Sequence, residues 1–162
     1  MAIIISVLAL LATFYQLYLQ RIHNAKSLKP LGQVDLLDLN RRLVVGIANN
    51  GMGPMIIDRI TFFKDGNSSA NIEDCLSLNI RSYWRIPVSE SVKKVVLPNA
   101  SFEVFATEFE EHEGEAEITN ARKQLSAIML KVEYRDIYDH KFSLERNLDW
   151  FFRHMTDEKS LK

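Results

Sequence analysis

Few residues in this sequence have the type and spacing to do chemistry. The densest group is Arg81-Ser-Tyr-Trp-Arg85, which alternates guanidinium groups with aromatic rings, followed by Lys93-Lys94. Guanidinium and ammonium groups bind phosphate, and an exposed ring stacks on a base. Arg81, Tyr83, Trp84, Arg85, Lys93 and Lys94 are therefore the candidate contacts for an anionic nucleotide or oligonucleotide ligand. Arg41-Arg42 and Arg122-Lys123 are further basic pairs, useful to such a pocket only if the fold brings them to the same surface. The competing interpretation is an amphipathic edge strand with ordinary solubilising charge.

The remaining reactive residue types do not assemble into motifs. None of His23, His112, His140 and His154 lies two, three or four residues from another histidine or from a cysteine, so the spacing of a zinc site is missing and no metal is expected. Cys75 is the single cysteine, which excludes an intrachain disulfide, and no base stands near it in sequence. A lone cysteine in an apolar stretch reads as core filler. Gly51-Met-Gly53-Pro54 precedes a strand rather than a helix, so it is turn chemistry and not a dinucleotide fingerprint. Asp136 and Asp139 could be a carboxylate pair, but their place in a hairpin marks them as turn residues. The expectation is a protein that is not an enzyme and needs no cofactor.

These residues must be positioned by a chain of 162 residues, enough for one domain with a real core. It is 47% hydrophobic and 25% charged, which excludes disorder as a whole-chain state, and its net charge of -1 excludes a general polycation. The average hides an asymmetry, because all 21 acidic residues fall after Pro30.

Residues 1–21 are the expected transmembrane helix. Met1 to Gln20 carry no charged side chain, and 20 residues at about 1.5 Å each span about 30 Å, one hydrocarbon core. A cleaved signal peptide would place a basic residue before the apolar run and small residues at its end; nothing basic precedes Ile3, and Tyr15 to Arg21 is a poor cleavage site. Arg21, Lys26 and Lys29 follow the run. By the preference of basic flanks for the cytoplasm, the N-terminus is expected outside the inner (plasma) membrane and the rest in the cytoplasm. The free Cys75 agrees with a reducing compartment. Ala2, Ser6, Ala9, Thr13, Gln16 and Gln20 recur at alternating spacings of four and three, so they share one helix face, opposite Ile4, Leu8, Leu11, Phe14, Tyr15 and Tyr18. Small and hydrogen-bonding residues on one stripe are what membrane helices use to associate. The stripe is thus the expected face of a homo-oligomer, or the lining of a pore.

Residues 22–33 read as a juxtamembrane linker, broken by Pro30 and Gly32. From there the hydrophobic period becomes two. Arg41 to Ala48 is apolar on both faces and should be a central strand. Met55 to Lys64 is the next strand, reached through Asn49 to Pro54, where Gly51 and Gly53 are expected to supply positive φ. Asn71 to Asn79 is ambiguous between a short helix and an irregular strand. Tyr83 to Val88, Lys93 to Leu97 and Ser101 to Thr107 read as extended, and Ala116 to Leu125 as a helical turn or two. Ile128 to Arg135 and Lys141 to Asn147 form a hairpin with Ile128, Leu130, Val132, Tyr134, Phe142 and Leu144 inward. The fold class is mainly β: an immunoglobulin-like β-sandwich over 34–147, preceded by the transmembrane helix and followed by a tail over 148–162.

Asn49-Asn-Gly-Met-Gly-Pro-Met-Ile-Ile57 and Val132-Glu-Tyr-Arg-Asp-Ile-Tyr-Asp139 resemble stretches of small bacterial single-pass membrane proteins with a cytosolic sandwich; the resemblance covers roughly residues 41–147. Met55 departs from it, standing where a small residue is expected after Gly-Pro. The overall plan also resembles membrane effectors of bacterial antiphage systems, such as those gated by cyclic oligoadenylate in type III CRISPR systems or by an oligonucleotide in Hailong systems. What the resemblance implies is a sandwich that senses a nucleotide-type signal and controls an oligomeric helix bundle or pore. The alternative is a membrane-tethered scaffold or accessory subunit that docks a protein partner. In both, membrane lipid surrounds the helix.

Overall fold

A computed structural model describes residues 2–78, 83–85, 93–110 and 112–153. The apolar N-terminal run forms one helix, α1 (Ala2–Ser27). It continues past Arg21 through most of the expected linker, because nothing between Gln20 and Ser27 breaks a helix. Leu28 still donates its amide to Asn24 O at 3.0 Å. Pro30 then ends the run by disfavouring helical backbone at the residue before it. No residue of α1 is buried, and the helix is long and apolar enough to cross a membrane.

The linker is short because β1 (Gly32–Leu39), which the sequence did not announce, begins at once. It pairs with β2 (Arg42–Asn49) through a two-residue turn in which Asn40 and Arg41 have φ of 50° and 63°. Positive φ at both central positions matches the right-handed twist of the flanking strands. The first sheet runs β1-β2-β7-β5, with β7 at Ala100–Glu108 and β5 at Tyr83–Arg85. β2 is therefore central, as its two apolar faces require.

The second sheet is built around β3 (Met55–Lys64). One edge of β3 is shared by β4 (Asn67–Ser69) and β6 (Lys94–Val96), and the other pairs with β8 (Met129–Arg135), itself followed by β9 (Lys141–Asn147). All pairings are antiparallel. Asp65-Gly66 closes the β3–β4 hairpin with φ of 51° and 80°.

The two sheets face each other across one core. Leu43, Val45, Ile47 and Phe105 meet Ile57, Ile60, Leu130 and Val132, and Cys75 lies in the same cluster, where burial pushes its thiol pKa up. Full burial of each large aliphatic side chain stabilises the fold by about 2 kcal/mol. Met55 is fully buried; a Cβ on Gly32 would come 3.1 Å from its sulfur, so the large residue at 55 fits because a glycine faces it. Ile72–Cys75 and Asp149–Phe152 are single 3-10 turns. The segment 115–126 forms a full helix, α2 (Glu115–Ser126), which buries Ile118, Ala121 and Leu125. It closes the end of the sandwich away from α1, together with Leu148 and Phe151. Asp38 of β1 holds it there through both carboxylate oxygens, each 2.9 Å from the Arg122 guanidinium.

Candidate functional site

The predicted anion-binding residues fall on different surfaces. Arg81 lies outside the described residues. Tyr83, Trp84 and Arg85 form β5, an edge of the first sheet, whereas Lys93 and Lys94 belong with β6 in the second. Strand alternation turns Tyr83 inward, its ring 5.3 Å from that of Phe105, while Trp84 on the opposite face is 66% exposed. Burial and the nearby Glu73 push the Tyr83 hydroxyl pKa up. Arg85 pairs with Glu73, Lys93 with Asp58 at 2.9 Å, and the Lys94 ammonium sits 5.6 Å over the Phe102 ring. The other basic pairs are likewise engaged. Arg41 donates to the carbonyls of Phe109, Glu110 and Glu113, Arg42 pairs with Glu103 at 2.6 Å, and Arg122 is held by Asp38. Asp38 keeps the Arg122 guanidinium firmly protonated.

A different group does converge. Asp58, Arg59, Lys93, Glu133, Arg135 and Lys141 line an open cleft of about 980 Å³ on the second sheet, across β3, β8 and β9, with Lys93 just ahead of β6. The cause is a bulge in β3. The pairing with β8 shifts between Ile57 and Arg59, so Ile57 and Ile60 both stay buried and Asp58 and Arg59 both lie on the outer side. Asp58 accepts from Lys93 at 2.9 Å and from Arg135 Nε at 3.2 Å, and Arg135 also pairs with Asp139. Partial burial opposes ionisation of Asp58, but these two cations outweigh it and hold its carboxyl below the usual range. The face is a lattice of alternating charge, suited to matching another charged surface. Of these residues only Lys93 belongs to the basic and aromatic group that the sequence marks for binding. The available signal was Ile57-Asp-Arg-Ile60, where the period of two slips by one residue.

A second constellation joins α1 to the sandwich. Asn49 is fully buried at the end of β2. Its Oδ1 accepts from the amides of Leu31 at 3.2 Å and Gly51 at 3.0 Å, and its Nδ2 donates to Gly53 O at 2.8 Å and Val96 O at 3.1 Å. Asn50 N donates to Leu31 O at 2.8 Å. Gly51 and Gly53 are needed here for closeness and not for positive φ, which among the described glycines only Gly66 has. A Cβ on Gly53 would lie 2.6 Å from the Leu28 carbonyl carbon, and one on Gly51 2.7 Å from Pro30 Cα. The juncture is thus pinned by the Leu31 bonds to Asn49 and Asn50 and by two glycines that let backbone approach backbone, while the other three Asn49 bonds fix the receiving loops.

Asp136 and Asp139 serve the β8–β9 turn. The buried Asp136 carboxylate accepts from the amides of Tyr138 at 2.8 Å and His140 at 2.9 Å and contacts His140 Nδ1 at 2.9 Å. Burial opposes its ionisation, but these hydrogen bonds prevail and its pKa lies below the usual carboxyl range. On α1, the Ser6 hydroxyl donates to Ala2 O at 3.0 Å and the Thr13 hydroxyl to Ala9 O at 2.9 Å, so both are satisfied within the helix. Gln16 and Gln20 lie along the same unburied face with Ala2, Ser6, Ala9 and Thr13. Among the described residues no three His, Cys, Asp or Glu side chains gather as a metal site would need.

No protein-family model matches the chain, and no curated protein does, so neither comparison supports a resemblance to antiphage effectors. Among solved structures the chain is similar to the archaellum periplasmic stator protein FlaG from Sulfolobus acidocaldarius. The identity is 9% and the TM-score 0.29, over 73% of this chain and 100% of that one.

Proposed function

We propose that this protein is a non-enzymatic, membrane-tethered scaffold whose β domain docks a protein partner through the mixed-charge cleft of the second sheet. The observation that carries this reading is the cleft itself: Asp58, Arg59, Lys93, Glu133, Arg135 and Lys141 gathered on one open face by the β3 bulge. A free anion would meet carboxylates interleaved with every cation there, whereas a protein surface can oppose both signs in register. The pinned juncture supports the same role, because a domain fixed to its anchor presents one face at a constant attitude to the bilayer. The basic flank at Arg21, Lys26 and Lys29 favours the cytoplasmic side for that domain.

The test is photocrosslinking in cells from a residue placed at Ser143, on the rim of the cleft. A discrete adduct is expected, and Lys141→Glu with Lys93→Glu should abolish it while leaving the domain folded. Survival of the adduct in that variant, or its absence from the parent chain, would exclude the cleft as the docking face.

A second reading is favoured by one specific observation, the small and polar stripe along a helix with no buried residue. In that reading α1 assembles through Ala2, Ser6, Ala9, Thr13, Gln16 and Gln20, and a ligand on the sandwich controls a helix bundle or pore. Replacing residues 2–20 by an unrelated apolar segment separates the two, because a tether tolerates the exchange. Discrete conductance of the purified chain in planar bilayers, lost in Ser6→Leu and Thr13→Leu, would establish the pore.

A further inference from the structure

The sandwich has unlike ends. The far end is closed by α2 and the turn at Asp149–Phe152. The near end, where α1 enters, consists of loops. Leu31 is bonded to Asn49 and Asn50, and Asn99 N donates to Asn49 O at 2.8 Å, so the segments 28–31, 50–53 and 97–99 form one connected surface. The β8–β9 turn adjoins it, because β8 ends opposite the start of β3. From this surface project Leu31, Met52, Leu97, Ile137 and Tyr138, all exposed, with Met52 at 71% and Leu97 at 63%. Soluble surfaces rarely gather such residues on adjacent loop tips.

Beside them, between the end of α1 and the β8–β9 hairpin, lies a cleft of about 670 Å³. Its apolar wall includes Tyr18, Ile22 and Phe142, its cations are Arg21, Lys26 and Lys29, and its one carboxylate, Asp136, is already engaged by the amides of Tyr138 and His140 and by the His140 ring. The Lys29 ammonium sits 5.0 Å over the Phe142 ring. An apolar wall with cations along it is complementary to the headgroup and first carbons of an anionic phospholipid.

Distance places both features at the bilayer surface. If Gln20 ends the hydrocarbon span, the seven helical residues from Arg21 to Ser27 rise about 10 Å at 1.5 Å each. The headgroup layer is about 5–8 Å thick on each side. The loop tips therefore stand at its outer boundary, and a helix tilt of about 20°, ordinary for membrane helices, lowers one side of the domain into it.

We infer that the loop end of the sandwich is a second membrane contact: Leu31, Met52, Leu97, Ile137 and Tyr138 rest in the headgroup layer, and the cleft at Arg21, Lys26 and Lys29 takes an anionic phospholipid headgroup. This rests on α1 being a membrane anchor and on no property of the charged cleft. It gives the pinned juncture a purpose, since a domain seated on lipid needs a fixed angle to its helix.

The experiment uses the full chain in nanodiscs of phosphatidylcholine, and of phosphatidylcholine mixed with phosphatidylglycerol. An environment-sensitive fluorophore is attached to Met52→Cys or Leu97→Cys, with Asn67→Cys at the far end as the control. The unsubstituted chain, whose Cys75 is buried, serves as the labelling blank. Brominated lipid should quench the labels at 52 and 97 and not the one at 67. The docked fraction should increase with phosphatidylglycerol, and each of Lys26→Gln and Lys29→Gln should lower the docking equilibrium about fivefold. Labels at 52 and 97 as unquenched as the one at 67, in chains that co-elute with the nanodisc, would overturn the inference and leave anchoring intact. Labels shielded from an aqueous quencher but untouched by brominated lipid would assign the surface to a second copy of the chain, and also overturn it. Quenching indifferent to phosphatidylglycerol would overturn the headgroup assignment. A chain that does not enter nanodiscs would refute the anchor itself.

Discussion

Asn49→Ala tests whether one buried amide fastens the membrane helix to the sandwich. The substitution removes four hydrogen bonds at once: two accepted from Leu31 N and Gly51 N, two donated to Gly53 O and Val96 O. Each is worth about 1 kcal/mol net, and partners left unsatisfied in a closed site add to that, so the expected loss is about 3–5 kcal/mol. For a domain of this size about 1 kcal/mol moves the melting temperature by about 3–4 °C, so the shift should be about 10–20 °C. Circular dichroism of the β domain in the detergent-solubilised full chain measures it. Hydrogen exchange locates it, with accelerated exchange concentrated at the amides of Leu31, Asn50 and Gly51. Asn50→Ala is the internal control. Its side chain makes one exposed hydrogen bond, 2.9 Å to Gln33 Oε1, and the change should cost under about 0.5 kcal/mol. If Asn49→Ala melts with Asn50→Ala and keeps the Leu31 amide protected, the juncture is held by something other than Asn49.

Gly53→Ala should loosen the same juncture by overlap with the Leu28 carbonyl, seen as faster tryptic cleavage after Lys26 with the core intact; unchanged cleavage would contradict the close approach. Asp38→Leu leaves the largely buried Arg122 guanidinium with its longer contact to the exposed Glu115 and should cost about 2–4 kcal/mol, whereas Asp38→Leu combined with Arg122→Leu should cost less than the single change in chemical denaturation. Asp136 makes stability depend on acid. Its folded pKa lies below its unfolded one, so its contribution is complete above the ordinary carboxyl value of about 3.9 and is lost as pH falls through the folded value. Asp136→Asn should therefore flatten, without abolishing, the fall in melting temperature below about pH 4, because Asp58 titrates with the same sign; an unaltered acid limb would show that Asp136 is not ionised in the fold.

Local pattern settled much of this protein. Twenty residues without a charged side chain, followed by Arg21, specify one long apolar helix, and α1 forms there, long enough to cross a membrane. Alternation over residues 128–135 and an all-apolar run at 43–48 are sufficient to specify a hairpin strand and a central strand, since the side-chain period in β structure is fixed at two. Asp65-Gly66 names its turn because both positions need positive φ.

What the sequence could not settle is which surfaces those strands bring together. Arg85 and Lys94 lie nine residues apart along the chain, yet they end in different sheets, because only the long-range pairing of β5 with β7 and β6 with β3 decides it. β1 is hard to read because its alternation is broken by Asp38 on the inner face and by Leu37 and Leu39 on the exposed one; its place is dictated by β2 beside it and by the Arg122 that Asp38 meets across the domain. The glycines at 51 and 53 look like ordinary turn residues until the backbone of residues 28–31 is laid against them. Hydrophobic period is local and survives in the sequence, whereas the charged cleft and the pinned helix arise from residues far apart in the chain, and only packing places them face to face.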